Sequence, residues 1–211
     1  MKFIKFLAVA ALTALPGVAQ AQWYMGADAG VNFLQDSDLK SDAFNNDMKV
    51  GNDTGYAVQM HGGYGFKASS FGTPRLEGEL AYRSSGLKSL TDIDGKLSGH
   101  TSSLSLMANG VYQFLPKSKW HPFVGVGIGM SRIGVDWKSP NGKLVDDTDI
   151  VFAYQGFAGV SYDIAKNWEL SAQYRYFGTQ DPEFKDTDSD KVKGEYSSHA
   201  ILAGFTYKFR K

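Results

Sequence analysis

Three short runs in this sequence hold residue types that can do chemistry. His100-x-Ser102, if extended, puts an imidazole and a hydroxyl on the same side of one strand. There the histidine can take the proton of a serine that attacks an acyl carbonyl. Such a pair needs an acid to orient the histidine. No Asp or Glu falls on the matching parity of that segment or of its neighbours as delimited below. Asp186-x-Asp188-x-Asp190 begins like a calcium loop, but Lys191 stands at the sixth position, where glycine is needed, and Ser197 at the twelfth, where glutamate is needed. Gly125-x-Gly127-x-Gly129 lacks the helix that must follow a nucleotide-binding glycine run. His61, His121 and His199 have no metal-ligand spacing. No enzymatic activity, metal or cofactor is expected.

Composition narrows the partners. The 211 residues carry 22 Lys+Arg against 22 Asp+Glu, without the basic surplus of a nucleic-acid binder. The absence of cysteine excludes a disulfide scaffold and any thiolate metal site. The 14 Phe, 11 Tyr and 4 Trp, with 24 Gly against 6 Pro, suit long, closely packed strands.

Residues 1–21 combine Lys2 and Lys5, an apolar run from Phe6 to Leu15, the breakers Pro16 and Gly17, and Ala19-Gln20-Ala21 as a cleavage pattern. This is expected to be a secretory signal peptide, leaving 22–211 as one domain. No later stretch has 18 consecutive apolar residues, as a membrane helix would need.

The elements that must position any site follow from strict alternation. Trp23, Met25, Ala27, Ala29, Val31 and Phe33 share one parity; Tyr24, Gly26, Asp28, Gly30 and Asn32 share the other. Seven more stretches repeat this pattern, starting near Tyr56, Arg75, Thr101, Pro122, Phe152, Trp168 and His199. Eight strands of about 11–14 residues exceed the usual 5–6 and match the roughly 9–11 tilted residues that cross a bilayer. Their connections near 67–74, 115–121 and 165–167 are short. Those near 34–54, 84–100, 136–150 and 179–197 are long and polar. Segments 35–53 and 180–197 are each net −3.

An aromatic girdle of Phe66, Phe114, Trp120, Tyr162, Trp168 and Phe209 is expected at the short-turn end. A second, of Phe33, Tyr56, Tyr82, Phe152 and Tyr176, belongs at the other end. The polar parity carries Asp28, Glu77, Glu79, Asp163 and Glu169 against Arg75, Arg83, Arg175 and Lys208. Inside a narrow barrel these must largely pair, forming a charge network that plugs the lumen or lines a narrow path. Gly125, Gly127 and Gly129 are expected to let side chains such as Arg83 or Arg175 cross the barrel.

Several motifs carry a resemblance over essentially the whole of 22–211. They are Trp23-Tyr24-x-Gly26, Arg75-x-Glu77-x-Glu79-x-x-Tyr82-Arg83, Pro122-Phe123-x-Gly125-x-Gly127-x-Gly129, Tyr174-Arg175-Tyr176-Phe177 and Ser198-His199-x-x-Leu202-x-Gly204-x-x-Tyr207-x-Phe209. Together they resemble the eight-stranded outer-membrane β-barrel proteins: opacity-protein adhesins, bacterial surface antigens and the barrel of outer-membrane protein A. The resemblance implies an all-β, antiparallel, up-and-down transmembrane barrel in the outer membrane of a Gram-negative bacterium, with both termini periplasmic. It implies contact with outer-membrane lipid and lipopolysaccharide, and assembly through a final strand ending near Phe209. It also implies a structural anchor whose four extracellular loops meet a host or cell-surface ligand, with a part in envelope integrity. The alternatives are a small or gated pore and, third, a lipid A-modifying enzyme, since lipid A deacylases are similar in carrying an exterior His-x-Ser pair. Two departures stand out. Phe209 is followed by Arg210 and Lys211, and no cell-wall-binding domain follows the barrel, so no tether to the wall is expected.

Overall fold

The computed structural model describes residues 22–35, 37–39, 48–50, 54–86, 98–139, 142–180, 183–185, 191–193 and 196–209. Side chains are described for 22–35, 54–86, 101–134, 150–180 and 196–209. Residues 1–21, expected to be a signal peptide, and the Asp186-x-Asp188-x-Asp190 run lie outside the described residues.

In chain order the strands are β1 (Gln22–Leu34), β2 (Ser37–Leu39), β3 (Met48–Val50), β4 (Thr54–Gly65), β5 (Gly72–Gly86), β6 (Ser98–Phe114), β7 (Trp120–Ser139), β8 (Gly142–Asp163), β9 (Trp168–Thr179), β10 (Glu183–Lys185), β11 (Lys191–Lys193) and β12 (Ser197–Phe209). Eight of them close into an antiparallel barrel in the order β1-β12-β9-β8-β7-β6-β5-β4. β1 is paired on both edges, so Trp23 lies opposite Tyr64 on one side and Phe209 on the other. Closure removes both sheet edges, which no open sheet can do.

The long connections are more ordered than their polarity suggests. β7 and β8 run on into the segment read as a 136–150 loop, pairing Asp136 with Asp146 and Trp137 with Val145 across a bulge at Trp137/Lys138. Only residues 140 and 141 separate the two strands. The backbone ladder continues where the apolar alternation stops, because beyond the bilayer neither face is held to an apolar medium. β2 pairs with β3, and β10 with β11, inside two other long connections.

At the opposite end the turns are tied locally. Ser69 Oγ accepts the N–H groups of Phe71 and Gly72 at 3.3 and 3.2 Å. Leu115 takes the left-handed conformation at φ 54°. Its N–H reaches Phe71 O at 3.3 Å, which joins two neighbouring turns. Asn167 and Lys208 exchange N–H···O bonds of 2.8 and 2.9 Å, which fastens the β8–β9 turn to the last strand.

Alternation assigns each parity to one medium. The outward parity leaves Val126 at 69% exposure, Met130 at 65% and Ile128 at 60%, within a continuous apolar belt. In water such a belt would far exceed the few hundred Å² of a soluble monomer's patches, so hydrocarbon is its medium. A charge placed mid-belt must therefore be expensive. Val126→Arg is expected to cost about 2–4 kcal/mol in reversible unfolding from lipid vesicles. A cost below about 1 kcal/mol would contradict a bilayer-facing wall.

Candidate functional site

The lumen holds the charged side chains that the parity pattern assigns to it, and their partners fall into three tiers. In the tier nearest the turns, Lys208 Nζ lies 2.6 Å from both Asp163 Oδ1 and Glu169 Oε2. Arg75 reaches Glu169 at 3.4 Å, also bonds the Gln113 carbonyl, and lies 4.9 Å over the Tyr24 ring. His121 spans Leu115 O at 3.0 Å and Asp163 Oδ2 at 3.2 Å. Seven strands and a turn are thereby cross-tied through one cluster.

In the middle tier Asp28 contacts His61 Nδ1 at 3.1 Å and accepts from Gln59 at 2.8 Å and Ser171 at 3.2 Å. His61 also meets Thr206 Oγ1 at 3.2 Å, crossing β1 to do so. Gly26 allows this, since a Cβ there would sit 2.5 Å from His61 Nε2. Tyr24 donates its hydroxyl to Glu77 at 2.8 Å.

In the upper tier Arg175 Nη1 lies 2.8 and 2.6 Å from the two Glu79 oxygens. Glu79 also accepts from Asn109 at 2.8 Å and Gln155 at 3.3 Å. Two side-chain exposures of 2% and 0% make this a fully desolvated pair. Arg83 Nη1 donates to Ser105 Oγ at 3.2 Å, and its guanidinium lies 4.0 Å over the Phe177 ring.

Above these tiers Met107, Ile133, Val151, Ala153, Phe177 and Tyr196 form a buried apolar cluster toward the loop end, where Asn32, Ser85, Thr101 and Ser103 are buried as well. A cavity of about 30 Å³ between the lower and upper tiers, lined by Asp28, His61, Glu77 and Arg175 among others, has room for about two waters.

Three expectations change. Acids and bases do not simply pair with one another: Glu77 takes a tyrosine, Asp28 a histidine, and Arg83 a serine and an aromatic face. The reason is height along the barrel, since Glu77, Glu79 and Arg83 follow one another up β5 while their partners come from other walls. The Gly125 run makes room for Phe157, Asn109 and Met107 rather than for arginines. Phe157 in turn carries Arg175 at 4.2 Å on its ring face, so Gly125 acts on the arginine through one intervening ring. Finally, β7 is long enough to put Asp136, which apolar alternation alone assigns to a loop, opposite His100 in the ladder.

His61, His121, Tyr24, Gln113, Gln155, Phe157 and Phe177 belong to the lumen although charge alone did not select them. Their inward parity was the signal. The girdle also gains members. Phe66 packs on Tyr64, Phe114 on Tyr112, Trp120 on Tyr162, and Trp168 and Phe209 on Tyr207, with centroids 4.6–5.3 Å apart. Trp23 on Tyr64 adds another pair, at 5.0 Å. Among the described residues no group of His, Asp or Glu is arranged to hold a metal ion.

A closed eight-stranded barrel, apolar outside and filled with polar and ionic contacts inside, defines a transmembrane barrel protein. The chain belongs to the family described as outer membrane protein beta-barrel domain, whose model matches residues 5–209, and it is an outer-membrane protein. It is 30% identical over 228 residues to an "Outer membrane protein" of Gluconacetobacter diazotrophicus, covering 96% of this chain and 60% of that one. This chain thus spans about three fifths of that relative's length. It is 28% identical over 208 residues to "Putative adhesin RC1281" of Rickettsia conorii, covering 88% of this chain and 82% of that one. Among solved structures it is similar in fold to Neisserial surface protein A, with a TM-score of 0.55, 22% identity, and 90% and 99% of the two chains covered.

The desolvated pair makes a direct prediction. Glu79→Gln leaves the Arg175 charge uncompensated and is expected to cost about 3–5 kcal/mol by reversible urea unfolding in vesicles. Combining it with Arg175→Met should cost less than the sum of the two single changes by more than about 1 kcal/mol. Strictly additive costs would mean that the two groups are not coupled.

Proposed function

We propose that this protein is an outer-membrane anchor, closed to ions, that displays its loop-end hairpins for contact with other surfaces. One observation carries the reading. Ionic tiers fill the lower and middle lumen, and an apolar cluster around Phe177 and Ile133 packs above them, so among the described residues the charged lining stops at Arg83 and does not continue to the loop end. An ion path gains from a continuous polar wall, and here Met107, Ile133 and Val151 interrupt it on β6, β7 and β8. The name of the Rickettsia relative, "Putative adhesin RC1281", supports an outward-facing role for the hairpins. We place the turns and both termini in the periplasm and the long connections outside, in keeping with the short-turn, long-loop asymmetry of such barrels. In this reading the last strand, ending at Phe209, is the part the barrel-assembly machinery engages. Lipopolysaccharide surrounds the loop end, and a host or cell-surface ligand meets the hairpins. A contribution to envelope integrity follows from a rigid, cross-tied wall.

A second reading, hydrolysis of an acyl ester in an outer-leaflet lipid, draws on the register that sets Asp136 across from His100, two residues from Ser102. Ser102→Ala with mass spectrometry of lipid A tests it. A lost acyl chain restored by the variant would favour hydrolysis, and unchanged lipid A would remove it.

For the main reading, purified protein in planar bilayers is expected to give no large, stable conductance steps. Cells displaying the barrel should bind a target surface, and replacing 36–53 and 181–195 with short turns should reduce binding to the vector control. Heat-modifiable migration should persist in that variant. Stable open steps, or binding that survives loop removal, would contradict the proposal.

A further inference from the structure

Among the barrel residues whose side chains are described, the outward parity holds a single charged side chain, Arg132 on β7; the outward-parity Asp136 and Asp146 lie two rows further along the β7–β8 ladder. Arg132 is exposed, and no described carboxylate pairs with it. A cation on a lipid-facing wall is costly at the bilayer midplane and nearly free at its margin. Arg132 stands twelve positions beyond Trp120 along β7. At about 3.3 Å per residue and a tilt of about 40°, that is about 30 Å along the barrel axis, just past an apolar band about 25 Å tall. Its ladder neighbours, Leu104 and Ile150, are apolar and suit its aliphatic stem. The guanidinium then reaches the level of lipid headgroups.

The wall around it differs from the rest of the loop end. Elsewhere that margin is aromatic: Tyr56 packs on Tyr82, and Tyr154 on Tyr176, which itself packs on His199. One row beyond Arg132 the margin is small and polar instead, with Ser84, Ser102 and Gly134 facing out side by side. The next carboxylates, Asp136 and Asp146, stand opposite each other a further row away from the bilayer. The girdle therefore has a gap at β6 and β7, next to Tyr82 of β5, floored by small residues and flanked by Arg132.

The geometry points to this gap as a seat for the phosphate of an anionic glycolipid in the leaflet around the loop end. Arg132 grips the phosphate in a bidentate manner, and the Ser84 and Ser102 hydroxyls complete the polar contact. The missing rings leave room for the sugar that carries the phosphate. This inference rests on the orientation proposed above, in which the loop end meets the glycolipid leaflet.

The test uses the whole barrel in phosphatidylcholine nanodiscs doped with bisphosphorylated lipid A or with its dephosphorylated form. Native mass spectrometry counts the lipid A molecules retained per barrel. Wild type is expected to keep the phosphorylated form about five- to tenfold more than the dephosphorylated one. Arg132→Gln should abolish that preference, and Arg132→Lys should keep part of it, with heat-modifiable migration showing that each variant is folded. A wild type without preference, or a preference unchanged in Arg132→Gln, overturns the site. Both disc faces carry the same lipid, so the result does not depend on orientation. Orientation is read separately by labelling Asn45→Cys on intact cells, since the chain has no cysteine of its own.

Discussion

In hydrocarbon an unpaired peptide N–H or C=O has no water to turn to, and each costs several kcal/mol. That penalty forces the first barrel strand back onto the last. Trp23 sits across from Phe209, and Leu34 across from Ser198, so β1 and β12 pair over nearly their full length. Once the sheet is closed, every side chain must point either into lipid or into a lumen too narrow to hold bulk water. Two different chemistries then share one chain at alternate positions. Ile128 and Met130 need do no more than be apolar, whereas Gln155 and Ser131 on the same ladder must find partners.

The lumen meets that demand by cross-bracing. Glu79 on β5 accepts from Asn109 on β6, Gln155 on β8 and Arg175 on β9, so a single carboxylate ties four walls together. Lys208 does the same near the turns for β8, β9 and β12. Single buried pairs are poor sources of net stability, because desolvation offsets much of the attraction. Their value here is specificity, since a strand slipped by one residue would turn each of these charges into lipid. Arg83 marks the boundary of this scheme. Its charge rests on the Phe177 ring, and Phe177 belongs to the apolar cluster above. The charged interior thus ends against an apolar cluster within a single contact.

Most of the wall was legible in the sequence. Val124, Val126, Ile128 and Met130 against Gly125, Gly127, Gly129 and Ser131 could be read as one strand because one side sees hydrocarbon along its whole length. The same signal failed beyond Val135. The β7–β8 ladder runs on there in water, and Asp136 and Asp146 follow no apolar rule. Parity likewise told which wall holds Glu79 and Arg175, but not that they meet. They lie 96 positions apart, and their meeting depends on the stagger between strands, which no local pattern encodes. The rings of Phe157 and Phe177 were harder still to read. An inward aromatic reads as a stray among polar residues until an arginine is found on its face.

The central claim, an apolar wall bathed in lipid around a lumen sealed at its loop end, is tested most directly by nuclear magnetic resonance of methyl-labelled protein in lipid nanodiscs. Leu106, Val126, Ile128 and Ile201 should show Overhauser contacts to acyl chains. Val111, Ile133, Val151 and Leu202 should show none to lipid, and Ile133 and Val151 none to water. Water contacts at Ile133 and Val151, or lipid contacts at any of the inward four, would contradict the sealed barrel.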